Sequence, residues 1–169
     1  MSIDKLFHNW ITPKWGKNLL RDRFWGFVTL YGIWVLFVFV LANLIIATPA
    51  DSLWPLFKQS ALSVSLAWTV MICLSYIIKR PRPFKVRGEK ALVKMWLETP
   101  SFPSGHTTLA FALASASCFS SLQPGIVVLA AFIMAAMVAF SRLYVGVHYL
   151  SDIFGGIAVG VGVVWLVFG

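Results

Sequence analysis

The segment from Ser141 to Asp152 contains the residues of this chain that are best suited to chemistry. It places Arg142, His148 and Asp152 between two long apolar runs. Ionisable side chains at membrane depth are costly, so they usually mark a functional site. On a helix, the spacing of His148 and Asp152 puts both on one face, where the carboxylate can accept a hydrogen bond from the imidazole and fix its tautomer. The guanidinium of Arg142 suits phosphate or carboxylate oxygens, so the segment predicts an oriented nucleophile or base beside an anion-binding group.

A second group of residues, Pro103-Ser104-Gly105-His106, precedes another apolar run. Gly105 permits close approach of the backbone to a ligand, and Ser104 supplies a hydroxyl. The start of the predicted helix offers free N–H groups and the positive end of its dipole, which together bind anions. His106 falls in the first turn of that helix, where it can donate or accept a proton. A lone histidine at a helix start is also often only a polar cap, so this cluster does not by itself indicate a functional site.

A third group, Lys79-Arg80-Pro81-Arg82-Pro83, follows a further apolar run. Its cations, stiffened by two prolines, form a rigid positive rim. Basic loops beside membrane spans usually serve as topology anchors, and taken alone this group favours that interpretation.

The composition indicates an integral membrane protein. Of the 169 residues, 59% are hydrophobic and only 12% are charged, whereas a soluble domain is about a quarter charged. The formal net charge of +8 comes from basic residues that flank apolar runs, so it predicts contact with the lipid bilayer and argues against a nucleic-acid partner. Cys73 and Cys118 lie inside apolar runs and imply no disulfide framework.

The apolar runs predict an all-α, polytopic transmembrane bundle of about five spans, because helices satisfy their own backbone in lipid. The runs are roughly 24–47, 53–78, 107–122, 126–140 and 149–168. We expect a single membrane domain over residues 1–169, with an interfacial N-terminal segment at 1–23 and an active-site loop at 79–103. The third run is short and rich in small residues, which predicts a central position in the bundle. Gly156 and Gly160 are spaced for close helix contact.

All three chemical clusters lie at span ends that face the same side of an alternating bundle. The loop between the second and third spans and the loop between the fourth and fifth share that side. One membrane face is therefore expected to gather Arg80, Arg82, Ser104, His106, Arg142, His148 and Asp152. Scattered structural charges would not converge in this way.

This pattern resembles the type 2 phosphatidic acid phosphatase family, the membrane lipid phosphatases related to vanadium haloperoxidases. The family's third motif is Ser-Arg, five residues, His, three residues, Asp, and residues 141–152 fit it at every fixed position. Its second motif, Pro-Ser-Gly-His, is matched by residues 103–106. Its first motif is Lys, six residues, Arg-Pro; Arg82-Pro83 match the end, but the lysine position holds Ser75. Lys79 or Arg80 is a candidate to supply the missing charge.

The resemblance implies a role for each residue. His148 would attack phosphorus to give a phosphohistidine, Asp152 would hold its ring, and His106 would protonate the leaving oxygen and later activate water. Four groups would hold the phosphate oxygens: Arg82, Arg142, Ser104 and the Gly105 amide. No metal or other cofactor is expected, because the three motifs contain only one acidic residue.

The expected substrate is a membrane lipid that carries a phosphate or diphosphate. Phosphatidic acid, phosphatidylglycerol phosphate, undecaprenyl diphosphate and lipid A phosphates all fit a site at headgroup level. The loop at 84–102 is expected to help choose among them, with an amphipathic cover built from Val86, Leu92, Val93, Met95 and Trp96 and basic residues Lys85, Arg87, Lys90 and Lys94. The alternatives are a lipid phosphotransferase and a non-catalytic lipid-binding protein with a degenerate site.

Two signals disagree on the side of the membrane that carries the site. The basic residues before the first span and in the 79–94 region lie on the site's side, which the positive-inside rule makes cytoplasmic. The resemblance implies a bacterial inner membrane and a site on the periplasmic face. Since some of these basic residues are explained by catalysis, we expect the periplasmic orientation.

Overall fold

The computed structural model describes residues 4, 6, 10–11, 15–88, 91–93, 99–119 and 124–169 of the chain. Its regular elements are α1 (Leu19–Ile46), α2 (Ala50–Ile78), α3 (Pro83–Arg87), α4 (Gly105–Ala116), α5 (Gly125–Tyr144) and α6 (Leu150–Phe168), with a 3-10 turn at Ser117–Phe119 after α4. No strand occurs in these ranges. The predicted all-helical class is therefore confirmed.

Local sequence sets the ends of the first two helices. At the start of α1, the side chain of Asn18 accepts a hydrogen bond from the Arg21 amide at 3.0 Å, which satisfies one of the free N–H groups of the first turn. At the end of α2, Lys79 adopts a left-handed conformation with φ of 50°, and its amide donates to Ser75 O at 2.9 Å. Pro81 follows and has no amide to continue the helix.

Within the described ranges, four helices are long and apolar enough to cross a membrane: α1, α2, α5 and α6. The predicted third span corresponds to α4, which has 12 residues and is shorter than a full bilayer crossing. Helix α4 lies at the centre and packs against all four long helices. The central position predicted from its small residues is thus confirmed; the predicted end of this run, at 120–122, lies outside the described residues.

The core forms two layers on either side of α4. One layer joins α1, α4 and α5 through Leu36, Val40, Ala110, Ala114, Ala131, Ala135 and Val138. The other joins α2, α4 and α6 through Ala67, Ala112, Ala116 and Val164. Large apolar side chains such as Trp34, Ile77 and Leu166 are exposed on the outside of the bundle, which suits a surface that faces lipid.

Helix α6 approaches α4 at its glycines. A Cβ atom on Gly156 would lie 2.9 Å from Ser104 O, and a Cβ on Gly160 would lie 2.4 Å from Thr108 O. Both distances are shorter than any real contact of a Cβ atom, so only glycine permits this spacing. The close helix contact predicted from these two residues is confirmed, and it presses α6 against the first turns of α4.

Candidate active site

The predicted site residues meet at one end of the bundle, where α2 and α5 end and α4 and α6 begin. Arg82, Arg142, His148 and Asp152 are all buried, with at most 5% of each residue exposed. The ring of His106 lies within the electrostatic influence of Arg142, His148 and Arg82. The three sequence clusters therefore form one site.

His148 is oriented by a backbone carbonyl. It lies in the loop 145–149 before α6, and its Nδ1 is 2.8 Å from Ser101 O. Because a carbonyl oxygen only accepts hydrogen bonds, Nδ1 carries the proton and Nε2 keeps its lone pair. Arg82 Nη1 lies 3.4 Å from Nε2, and a guanidinium can only donate, so this contact requires the same tautomer.

The expected arrangement of His148 and Asp152 on one helix is wrong. Asp152 occupies the first turn of α6, whereas His148 precedes the helix. The distance from His148 Nδ1 to Asp152 Oδ2 is 3.6 Å, which is longer than a hydrogen bond. The carboxylate therefore acts on the ring through its charge, while Ser101 O holds the tautomer. The fifth apolar run, predicted at 149–168, already placed the helix start after the histidine, and the observed helix begins at Leu150.

The loop that carries His148 depends on a tight turn after α5. Gly146 has φ of 77°, a conformation that favours glycine. A Cβ atom there would also lie 2.6 Å from Trp15 Cη2, so the tryptophan covers the turn directly. Trp15 Nε1 donates to Tyr144 O at 2.7 Å, and this contact fixes the covering ring at the end of α5.

Asp152 is fully buried and is held on both carboxylate oxygens. Oδ1 accepts a hydrogen bond from Arg80 Nη1 at 2.7 Å. Oδ2 accepts from the Tyr149 amide at 2.8 Å and from Ser101 Oγ. Since a buried carboxylate is stable only when it is paired and hydrogen-bonded, these contacts keep Asp152 ionised and fixed.

Arg82 is held beside the histidine by two backbone oxygens and one hydroxyl. Its Nε donates to Thr99 O at 2.8 Å, Nη2 donates to Thr99 Oγ1 at 3.0 Å, and Nη1 donates to Val147 O at 3.2 Å. These bonds fix the plane of the guanidinium with Nη1 beside the free ring nitrogen of His148. An anion bound at that nitrogen would meet a preorganised cation.

The second cluster starts α4 as predicted. Ser104 is the residue before the helix, and its amide donates to Asp152 O at 3.0 Å. Its hydroxyl accepts from Thr107 Oγ1 at 3.0 Å. Gly105 and His106 are the first two residues of α4, so their amides lie at the positive end of the helix dipole.

Arg142 supplies a second buried cation from the last turn of α5. Its Nη1 donates to Thr29 O in α1 at 3.4 Å. The guanidinium lies within the electrostatic influence of Arg82, so the two cations repel each other and a bound anion between them would be stabilised by both.

Burial lowers the pKa of His148 to about 4. A charged imidazolium would lose its hydration in this site, and the nearby cations of Arg82 and Arg142 act in the same direction. The ring is therefore neutral at neutral pH, as a nucleophile or base must be.

The family model of the PAP2 superfamily matches residues 58–169. The chain belongs to the PAP2 superfamily. The matched range includes the positions of all three motifs. The resemblance to this family that the sequence showed is therefore confirmed. Family membership and the apolar helices also make the chain an integral membrane protein.

Several curated relatives of this PAP2 chain are lipid phosphatases. Undecaprenyl-diphosphatase BcrC of Bacillus subtilis (strain 168) is 28% identical over 151 residues, which cover 89% of this chain and 75% of the relative. The putative undecaprenyl-diphosphatase YbjG of Escherichia coli (strain K12) is 29% identical and covers 73% of this chain and 66% of the relative. Phosphatidylglycerophosphatase B of Bacillus subtilis (strain 168) is 35% identical over 77 residues, 41% of this chain and 38% of the relative.

Two solved structures share the fold. The crystal structure of Aquifex aeolicus LpxE has a TM-score of 0.74 at 24% identity, with 98% of this chain and 92% of that chain covered. The PAP2-type phosphatidylglycerolphosphate phosphatase from Bacillus subtilis has a TM-score of 0.51 at 20% identity, with 98% and 90% covered. These similarities show the bundle architecture alone.

This PAP2 site differs from the family pattern at the first motif. Ser75, at the lysine position, is buried in the last turn of α2. Arg80, a candidate to supply the missing charge, directs its guanidinium at carboxylates: Nη1 bonds to Asp152 at 2.7 Å and Nη2 bonds to Asp4 Oδ2 at 2.9 Å. Lys79 is exposed.

The sequence did not indicate the residues that orient His148, Asp152 and Arg82. Ser101 contacts both His148 and Asp152, and Thr99 holds Arg82. They act partly through backbone oxygens, which any residue carries, so no side-chain pattern could have identified them.

The loop predicted to cover the site is described only in part. It contains α3, and Leu92 N donates to Val145 O at 3.2 Å, which ties the loop to the segment that carries His148. Val86 is exposed, whereas Leu92 and Val93 pack against the core beneath the site. The expected contributions of Lys90, Lys94, Met95 and Trp96 lie outside the described residues.

Among the described residues, no group of three or more His, Cys, Asp or Glu side chains is arranged to hold a metal ion.

Proposed function

We propose that this protein removes a phosphate from an isoprenoid diphosphate of the undecaprenyl type, through a phosphohistidine formed on His148. The broader statement is established by the family and the curated relatives: the protein is an enzyme that hydrolyses lipid phosphates. The choice of a diphosphate lipid is supported by two relatives that are named as undecaprenyl-diphosphatases. Phosphatidylglycerol phosphate is the second candidate, because the relative with the higher identity is a phosphatidylglycerophosphatase.

One observation carries the proposed mechanism. The proton of His148 lies on Nδ1, facing Ser101 O at 2.8 Å, and Nε2 lies 3.4 Å from the Arg82 guanidinium. A phosphoryl group bound by that cation would meet the lone pair of the ring nitrogen. The geometry supports Nε2 as the nucleophile.

The first step would form the Nε2–P bond as the bond from phosphorus to the leaving oxygen breaks. His106 would take up a proton when the negatively charged phosphoryl group binds beside it, and would give that proton to the leaving oxygen. Arg82, Arg142 and the amides at the start of α4 would hold the oxygens of the transferring group, whose charge otherwise repels a nucleophile. The Ser104 hydroxyl would bind the same oxygens, and the bond from its amide to Asp152 O would fix the helix start.

The second step would release phosphate. His106, now neutral, would accept a proton from water as the water oxygen attacks phosphorus and the Nε2–P bond breaks. Asp152 would stabilise the positive ring of the phosphohistidine through its charge, 3.6 Å from Nδ1. The proton would stay on Nδ1 throughout, because its acceptor is a carbonyl.

The test is phosphate release by the purified protein from undecaprenyl diphosphate, phosphatidylglycerol phosphate, phosphatidic acid and a lipid A preparation, each with chelator. His148→Ala should abolish release, whereas Thr69→Ala, at an exposed position of α2, should not. Undecaprenyl diphosphate should react fastest. Equal release by His148→Ala would refute the phosphohistidine, and faster release from another lipid would refute the substrate assignment.

Product analysis separates hydrolysis from the phosphotransferase alternative. With a second lipid present as acceptor, a hydrolase still releases inorganic phosphate in an amount equal to the lipid consumed. Appearance of a phosphorylated acceptor in place of phosphate would establish transfer instead.

We further propose that the site faces the periplasm of a bacterial inner membrane. Lys17, just before α1, and Ala50, the first residue of α2, lie on opposite sides of the first span; both are exposed and serve as matched probe positions. In a protein with Cys73 and Cys118 replaced, an impermeant thiol reagent added outside should label Lys17→Cys and spare Ala50→Cys. The reverse pattern would place the site in the cytoplasm.

A further inference from the structure

The cluster around Arg80 has no place in the mechanism described above. Arg80 Nη1 donates to Asp152 Oδ1 at 2.7 Å and to Ser151 Oγ at 2.6 Å. Its Nη2 donates to Asp4 Oδ2 at 2.9 Å. The guanidinium also lies over the ring of Tyr149, 4.0 Å from its centroid. One arginine thus joins the buried carboxylate of the site to an acidic residue near the start of the chain.

Asp4 is bound to the start of α6 as well as to Arg80. Its Oδ1 accepts from the Ser151 amide at 3.1 Å, and Oδ2 accepts from Ser151 Oγ at 2.8 Å. A carboxylate at the first turn of a helix is stabilised by free amides and by the helix dipole. Asp4 therefore holds the residue next to Asp152 and neutralises the outer side of Arg80.

Two more contacts attach the N-terminal segment to the loop that carries His148. Ile11 is 2% exposed and lies in a buried cluster with Leu143, Tyr144, Val145, Val147 and Ile153. Trp15 covers Gly146 and donates to Tyr144 O at 2.7 Å. The contacts of Asp4, Ile11 and Trp15 all converge on residues 143–153, which carry the catalytic pair.

We propose that Arg80 and Asp4 are positioning residues for the His148–Asp152 pair, so that an acidic residue near the start of the chain contributes to the active site. This inference rests on the proposed function of His148. Arg80 supplies the counter-charge that keeps the buried Asp152 ionised and directed at the ring. Asp4 holds Arg80 in that orientation and prevents it from turning toward substrate phosphate.

The values of kcat and KM distinguish a positioning role of Arg80 from a role in binding phosphate. Arg80→Gln should lower kcat by about 10- to 100-fold with little change in KM, because the residue acts through Asp152 and not on the substrate. Asp4→Asn keeps hydrogen-bonding atoms but loses the charge, so it should lower kcat by about 3- to 10-fold. Arg80→Lys should restore part of the loss. Arg23→Gln and Asp51→Asn, at exposed positions of α1 and α2, are the matched controls and should leave activity unchanged.

The deciding measurement does not need turnover. In protein labelled with ¹⁵N-histidine, the NMR signals of the His148 ring should report a single Nδ1–H tautomer. Arg80→Gln and Asp4→Asn should shift or broaden those signals, and the two controls should not. Unchanged ring signals in Arg80→Gln would overturn the inference, as would a raised KM at unchanged kcat, which would make Arg80 a phosphate ligand. Failure of the wild-type protein to release phosphate from any lipid would refute the proposed function, while the ring signals would still decide the role of Arg80.

Discussion

Replacing Gly160 with alanine tests whether the approach of α6 to α4 positions the catalytic pair. The new Cβ atom would lie 2.4 Å from Thr108 O and 3.0 Å from the Ala112 amide nitrogen. Both neighbours belong to the backbone of the central helix, so no side chain can rotate to make room. Gly162, two residues further along the same helix, has no atom within 4 Å of its virtual Cβ and provides the control.

The size of the effect follows from these distances. Ordinary contact begins at 3.4 Å, so α6 must move by about 1 Å, and overpacking of this kind costs about 1–3 kcal/mol. Both alanines gain the same helix propensity, so the difference between the two variants is the overpacking cost. For a chain of this length, this overpacking cost should lower the apparent Tm of Gly160→Ala by roughly 2–10 °C relative to Gly162→Ala. A displacement of about 1 Å at catalytic groups can also lower the rate by about 10²-fold.

The assays are thermal unfolding and phosphate release, measured in the same detergent for Gly160→Ala, Gly162→Ala and the wild type. We expect the first variant to lose stability and activity and the second to match or exceed the wild type in stability. Equal Tm and equal activity for the two variants would refute the reasoning that glycine is required for the contact between α4 and α6.

Two further predictions concern the charges of the site. Because the pKa of His148 is lowered to about 4 and only the neutral ring attacks, the fall of kcat/KM toward low pH should be centred near pH 4; a fall toward low pH centred at 6.5 would contradict the burial of this ring. Arg82→Lys should lower kcat/KM by about 10²-fold, because an ammonium cannot reproduce the guanidinium bonds to Thr99 and Val147 while facing the substrate; Arg23→Lys is the control, and equal rates for the two variants would exclude Arg82 from phosphate binding.

Much of this architecture could be predicted from the sequence because membrane physics leaves few choices. Apolar runs must form helices in lipid, and alternating spans put the two catalytic loops on the same side. The short run that forms α4 could be predicted to be central from its small residues. The close helix contact at Gly156 and Gly160 could be predicted from their spacing. Most predicted helix ends lie close to the observed ones. Helix α1 begins earlier and α5 ends later than predicted, since the apolar pattern fades there before the backbone hydrogen bonds do.

Only the tertiary structure decided which partners each charged side chain of the site contacts. Arg80 and Arg82 look equivalent in the sequence. In the structure, Arg82 faces His148, whereas Arg80 contacts Asp152 and Asp4. The direction of each side chain depends on the turn at Lys79 and on the partners that other elements bring to it. Nothing in the local sequence encodes those partners.

The sequence by itself determined the class of the protein and the set of its reactive residues, because helix formation in lipid and the chemistry of histidine, arginine and aspartate are local properties. The structure decided that Ser101 O, and not Asp152, accepts the hydrogen bond of His148, and that Trp15 and Asp4 contact Tyr144 and Ser151 on either side of that histidine. These features arise from contacts between residues that are far apart in the chain, and their geometry exists only once the helices have packed.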